Sequence, residues 1–158
     1  MSAKERSSME AEHVPKWTLR RTIPSNTAIS SELAAELIDA MMQRDWPASD
    51  LFRVQLAYEE AVVNAIRHGN RHDVSKTVHV EMACNDDEIW IRITDQGPGF
   101  DPNSIPDPRI DELIEIPGGR GVLLISEIMS EITYNEQGNQ ITMIKRKADA
   151  SADGIEHE

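Results

Sequence analysis

The chain has 158 residues and a formal net charge of -12, which suits one soluble domain around a single core. So acidic a balance excludes general binding to nucleic-acid phosphates and docking on anionic membranes. The lone Cys84 excludes an internal disulfide and a thiolate metal site. No apolar run resembles a signal peptide or approaches the length of a membrane span, so the expected location is the cytoplasm.

Residues 1–14 are polar and lack periodicity, and read as a flexible lead-in to a domain over 15–147. WTLRRTI (17–23) reads as an edge strand. Pro24, Ser25 and Asn26 break it and can open a helix, in which Ile29, Leu33, Leu37 and Met41 form one apolar stripe. WPASD (46–50) is a turn with capping residues, followed by a second helix from about 50 to 68 that Gly69 is expected to cap.

TVHVEMAC (77–84) and EIWIRITD (88–95) alternate, with Val78, Val80 and Met82 and then Ile89, Ile91 and Ile93 facing one way. NDD between them makes the pair a β-hairpin. Residues 96–118, rich in Pro, Gly and Asp, read as a long loop. GRGVLLISEIMS (119–130) reads as a helix started by glycines. EITYN and NQITMIKRK, split by EQG, form a second hairpin, and 148–158 is an acidic tail expected to be disordered. The order β, α, α, β, β, loop, α, β, β implies an α+β fold: a two-layer sandwich whose sheet is mixed but mostly antiparallel, with helices on one face.

On a 3.6-residue wheel the second helix is apolar except for a narrow strip holding Glu60, Asn64 and Arg67, with His68 at its border. Asn64 offers an uncharged oxygen suited to Mg²⁺, a hard cation. Glu60 offers a carboxylate that can accept a proton or orient a water. Taken alone the pair also fits the solvated edge of a helix. His68 and His72 stand four apart, but a helix end between them and the lack of a third ligand argue against zinc.

In TDQGPGFDP (94–102), Asp95 sits at a strand end and can accept a hydrogen bond from an amino group such as that of adenine. Gly97 and Gly99 beside it allow close approach. In PGGRGVLLI (117–125), Gly118, Gly119 and Gly121 precede a helix, where free amides bind phosphate. Neither a Walker A loop nor a Rossmann fingerprint is present.

EAVVNAIRHGN (60–70), DQGPGF (95–100) and GGRGVLLI (118–125), in this order, resemble the motifs of the ATP-binding domain shared by gyrase, a heat-shock chaperone, histidine kinases and mismatch-repair ATPases. Within that superfamily the chain is similar to the compact anti-sigma-factor serine kinases, whose first motif has a like E-A-x-x-N-A-x-x-H-G form. The resemblance covers residues 17–147.

The resemblance implies roles residue by residue. Asn64 would hold Mg²⁺ against the phosphates of ATP, and Glu60 would be the general base. Asp95 would recognise the adenine amino group, with Gly97 and Gly99 shaping that pocket. Residues 100–118 would form a lid, Gly119 and Gly121 would meet the phosphates, Arg120 would neutralise charge, and Thr142 would lie on the adenine side. About 20 residues precede the domain, so a stand-alone kinase is expected rather than a full histidine kinase. It would phosphorylate a small antagonist protein and bind a sigma factor, with room for a homodimer. The alternative is a module of the same fold that binds ATP, or only a partner protein, without catalysis.

Overall fold

The computed structural model describes residues 15–99 and 119–147; the lead-in, the lid and the acidic tail expected from the sequence lie outside the described residues. β1 spans Trp17–Pro24, α1 Thr27–Gln43, α2 Ala48–Asn64, β2 Thr77–Cys84, β3 Glu88–Thr94, α3 Gly119–Ile128, β4 Glu131–Tyr134 and β5 Gln140–Arg146. The five strands form one sheet in the order β1-β2-β3-β5-β4. Every pairing among the described strands is antiparallel. After β3 the chain crosses through α3 to the far edge, and the β4–β5 hairpin returns it to the side of β3.

Alternation along each strand decides which face is covered. Leu19, Met82, Ile91 and Met143 lie in register across four strands and are buried. The helices supply the other half of this core with Leu33, Leu37, Met41, Val54, Tyr58, Val62 and Ile125. The next row, Arg20, Glu81, Arg92 and Thr142, points the opposite way. On that face Arg20 pairs with Glu81 at 3.3 Å and the Arg92 guanidinium stacks 4.8 Å from the Trp90 ring centre. The result is a two-layer α+β sandwich with helices on one face.

Local signals set the helix starts. The Asn26 side chain caps α1 by accepting from the Ala28 amide at 2.8 Å. Pro47 stands at the head of α2, with no side-chain cap, so Ser49 and Asp50 lie within the first turn rather than before it. The Tyr58 hydroxyl donates to the Ser30 carbonyl at 3.0 Å and pins α2 to α1.

The end of α2 differs from the sequence expectation. The α-helix stops at Asn64 and widens into one π-helical turn over Ala65–Gly69. The Asn70 amide closes that turn on the Ala65 carbonyl at 2.7 Å, and the His72 amide reaches back to Ile66 at 2.9 Å. Gly69 is therefore not a left-handed cap. The left-handed positions are Arg71 (φ 54°) and His72 (φ 59°), two non-glycine residues in a sparsely populated region. Arg67 and His68 follow the change of pitch and are exposed, so they leave the strip that Glu60 and Asn64 share. Wide turns of this kind recur at functional sites, and this one delivers Gly69 and Asn70 to the end of β3.

Candidate functional site: where the helix end meets the strand end

The buried stripe of α2 runs through Val54, Ala57, Tyr58, Ala61 and Val62 and continues into the π turn as Ala65 and Ile66. Glu60 and Asn64 flank it, one turn apart and half-buried. Among the described residues neither side chain makes a hydrogen bond or ion pair, whereas the neighbouring Glu59 accepts from Gln55 at 3.3 Å. A carboxylate and a carboxamide held at the rim of a core helix without partners are free to serve a ligand. α3 packs directly on α2. Gly119 and Gly121 fall in its first turn, where amides lack helical acceptors. The Arg120 side chain lies outside the described residues, as does Gly118.

Asp95 leaves the end of β3 and lies against the π turn. A Cβ at Gly69 would fall within 2.7 Å of Asp95 Oδ1 and would overlap the rest of the carboxyl group. Gly69 is thus a glycine because Asp95 occupies the space of its side chain. A Cβ at Gly97 would meet the Gly69 carbonyl carbon at 2.5 Å, so these two glycines let helix end and loop touch backbone to backbone. Gly99 adopts φ +77° and packs on the β4–β5 turn, where a Cβ would stand 2.9 Å from the Gln137 carbonyl carbon.

Asp95 Oδ1 accepts from the Gly97 amide at 2.8 Å, while Oδ2 has no donor among the described residues. Burial raises the Asp95 carboxyl above the ordinary aspartate value; the Gly97 amide and the charge of Lys76 pull the other way. This acceptor is half-desolvated and has one oxygen to spare, as recognition of an amino group requires.

Two asparagines that sequence reasoning missed hold the Asp95 segment from either side. Asn139 bonds to it twice: the Asp95 amide donates to the Asn139 carbonyl at 2.9 Å, and the side-chain Nδ2 of Asn139 donates to the Asp95 carbonyl at 3.2 Å. Asn70, fully buried, accepts from the Gln96 amide at 2.7 Å through Oδ1. An asparagine beside a glycine reads as turn chemistry, which hides such a role. The available signal was Asn70 directly after a helix-ending glycine.

Thr142 is not part of the cluster. It sits on the opposite face of the sheet and accepts from Arg92 Nε at 3.1 Å. The neighbour on the Asp95 side is Ile141, in register with Ile93. His68 and His72 join no group of metal ligands among the described residues. Burial, then the charges of Arg67 and His72, lowers the His68 pKa. Among the described residues no helix is long and apolar enough to cross a membrane.

Comparison with known proteins agrees with this fold. Residues 23–145 match the family described as the histidine kinase-like ATPase domain. A protein named serine-protein kinase RsbW from Oceanobacillus iheyensis is 30% identical over 109 residues, 63% of this chain and 68% of the relative. The protein of that name from Staphylococcus aureus is 29% identical over 133 residues, 78% of this chain and 82% of its own. The one from Staphylococcus epidermidis is 35% identical over 106 residues, 61% and 65% of the two chains. With the helix pair, the aspartate and the glycine-led helix set on one fold, the chain belongs to the histidine kinase-like ATPase domain family, alongside relatives named as serine-protein kinases.

Proposed function

We propose that this protein is an ATP-dependent serine/threonine kinase of the anti-sigma-factor type, which phosphorylates a small antagonist protein and binds a sigma factor. The observation that carries it is the pair Glu60 and Asn64. They are half-buried, without partners among the described residues, on the helix whose following π turn touches Asp95.

Asp95 Oδ2 accepts from the adenine amino group, and the first-turn amides of α3, at Gly119 and Gly121, face the phosphates. Arg120, between them in sequence, adds positive charge to this end. The Asn64 amide oxygen fits Mg²⁺, which is usually held by one or two protein oxygens with phosphates and waters completing the shell. No cluster of ionisable ligands among the described residues would hold the ion without nucleotide. Bound Mg²⁺ supplies charge neutralisation on the phosphates. Glu60 then takes the proton of the acceptor hydroxyl as its oxygen bonds to the γ-phosphorus. The bond from that phosphorus to the β,γ-bridging oxygen breaks, and ADP departs.

Incubation with γ-labelled ATP, Mg²⁺ and the antagonist-like proteins encoded beside this chain is expected to label serine or threonine on the antagonist. Binding of ATP with no transfer to any of them would leave a non-catalytic module of the same fold as the better reading.

Asp95→Asn separates recognition from folding. A carboxyl group whose folded pKa is raised contributes stability at pH below its unfolded value, and loses it as pH rises through the folded value. At neutral pH the free protein therefore carries a half-buried charge at a cost. The variant is expected to be at least as stable as wild type at pH 7 by thermal unfolding. Its ATP affinity is expected to fall by about tenfold or more, with affinity for inorganic triphosphate unchanged. Equal loss for both ligands would remove Asp95 from adenine recognition.

A further inference from the structure

Asn70 makes five hydrogen bonds that join four segments. Its Nδ2 donates to Ser25 Oγ at 3.0 Å, ahead of α1, and to the Thr77 carbonyl at 2.9 Å, at the start of β2. Its Oδ1 accepts from the Gln96 amide at 2.7 Å. Its own amide closes the π turn on Ala65, and its carbonyl accepts from Asp73 at 3.0 Å. The Gln96 side chain completes the ring by accepting from the Thr77 amide at 2.7 Å. A buried carboxamide with both donors and its acceptor engaged is fixed in orientation.

The Gln96 amide lies between Asp95 and Gly97, the residue whose amide holds Asp95 Oδ1. Fixing the Gln96 peptide fixes the turn that aims the carboxylate. Gly69, immediately before Asn70, removes the Cβ that would push that carboxylate away. One dipeptide therefore does both jobs: Asn70 pulls the loop in, and Gly69 leaves room for it.

We infer that Asn70, acting with Gly69, is a positioning residue for nucleobase selection: it sets the Asp95 carboxylate where it distinguishes a purine carrying a 6-amino group from one that lacks it. This rests on the adenine-binding reading above. The Asn70 carboxamide is spent on protein partners, so its effect is exerted through the Gln96 peptide.

The test is calorimetric binding of two ligands, ATP and purine riboside triphosphate, which lacks the 6-amino group, to wild type, Asn70→Ala, Gly69→Ala and Ser25→Ala. Wild type is expected to prefer ATP by about tenfold or more. Asn70→Ala and Gly69→Ala are expected to bring the ratio of the two affinities close to one, while purine riboside triphosphate still binds. Ser25→Ala, which removes one partner of Nδ2 and leaves the Gln96 bond, is expected to keep the wild-type ratio. A purely structural role would lower melting temperature and leave that ratio intact in the folded protein; this result in the Asn70 or Gly69 variant overturns the inference alone. Gly69→Ala keeps the test open if Asn70→Ala does not fold, because it moves the carboxylate without opening the buried bonds. Failure of wild type to bind either nucleotide overturns the adenine-binding reading and the inference with it.

Discussion

Glu60→Gln is expected to abolish phosphotransfer while leaving ATP binding and folding in place. A positioned general base contributes roughly a hundredfold to ten-thousandfold in rate, and glutamine keeps the size of the side chain while losing its proton affinity. The wild-type side chain bonds to nothing among the described residues, so no buried partner there is orphaned by the change. Unfolding in urea should shift by no more than about 0.5 kcal/mol, as at ordinary surface positions. Transfer is followed by label on the antagonist, and nucleotide binding by calorimetry. Full retained transfer would remove Glu60 as the base; loss of both binding and transfer would give it a role in holding nucleotide instead.

Asn64→Ala carries the other large effect. Loss of the oxygen proposed for Mg²⁺ is expected to weaken Mg²⁺-ATP by about a hundredfold. Stability without ligand should hold or rise slightly, because Asn64 is the last α-helical residue of α2, its side chain makes no bond among the described residues, and alanine is the better helix former. Melting temperature measured with and without Mg²⁺-ATP reads both quantities together. Wild type rises with ligand by mass action, and the variant starts at or above the wild-type value and rises far less. An undiminished ligand shift in Asn64→Ala would reject the metal role.

The strands were legible because their chemistry is periodic. Val78, Val80 and Met82, and Ile89, Ile91 and Ile93, are all buried as their alternation requires. The same rule speaks against Thr142 on the adenine side, since it stands between the buried Ile141 and Met143 and must face away. Family likeness outweighed parity there. The Asn26 cap was readable because it is a short-range contact. Gly69 was legible as a glycine of consequence but not for its reason, because a helix-ending glycine signals a cap and only the fold brings Asp95 against it. The π turn was hidden because residues 65–68 read as ordinary helix ahead of a Gly69 cap, and the closing bond from Asn70 that widens the turn is made with the fold. Asn139 and Asn70 were missed for a related reason: their partners lie 44 and 26 positions away in sequence, beyond the reach of local pattern.

The Asn70 junction also bears on how this end of the molecule opens. Most ligand-binding loops belong to the least protected part of a protein and fluctuate independently of the core. Here the peptide after Asp95 is stitched to the start of β2, to the wide turn after α2 and, through Ser25, to the entry of α1. Freeing it requires three neighbours to give way together. Breathing at this corner therefore requires neighbouring elements to move with it, and on the adenine-binding reading proposed above the base would meet a fixed wall.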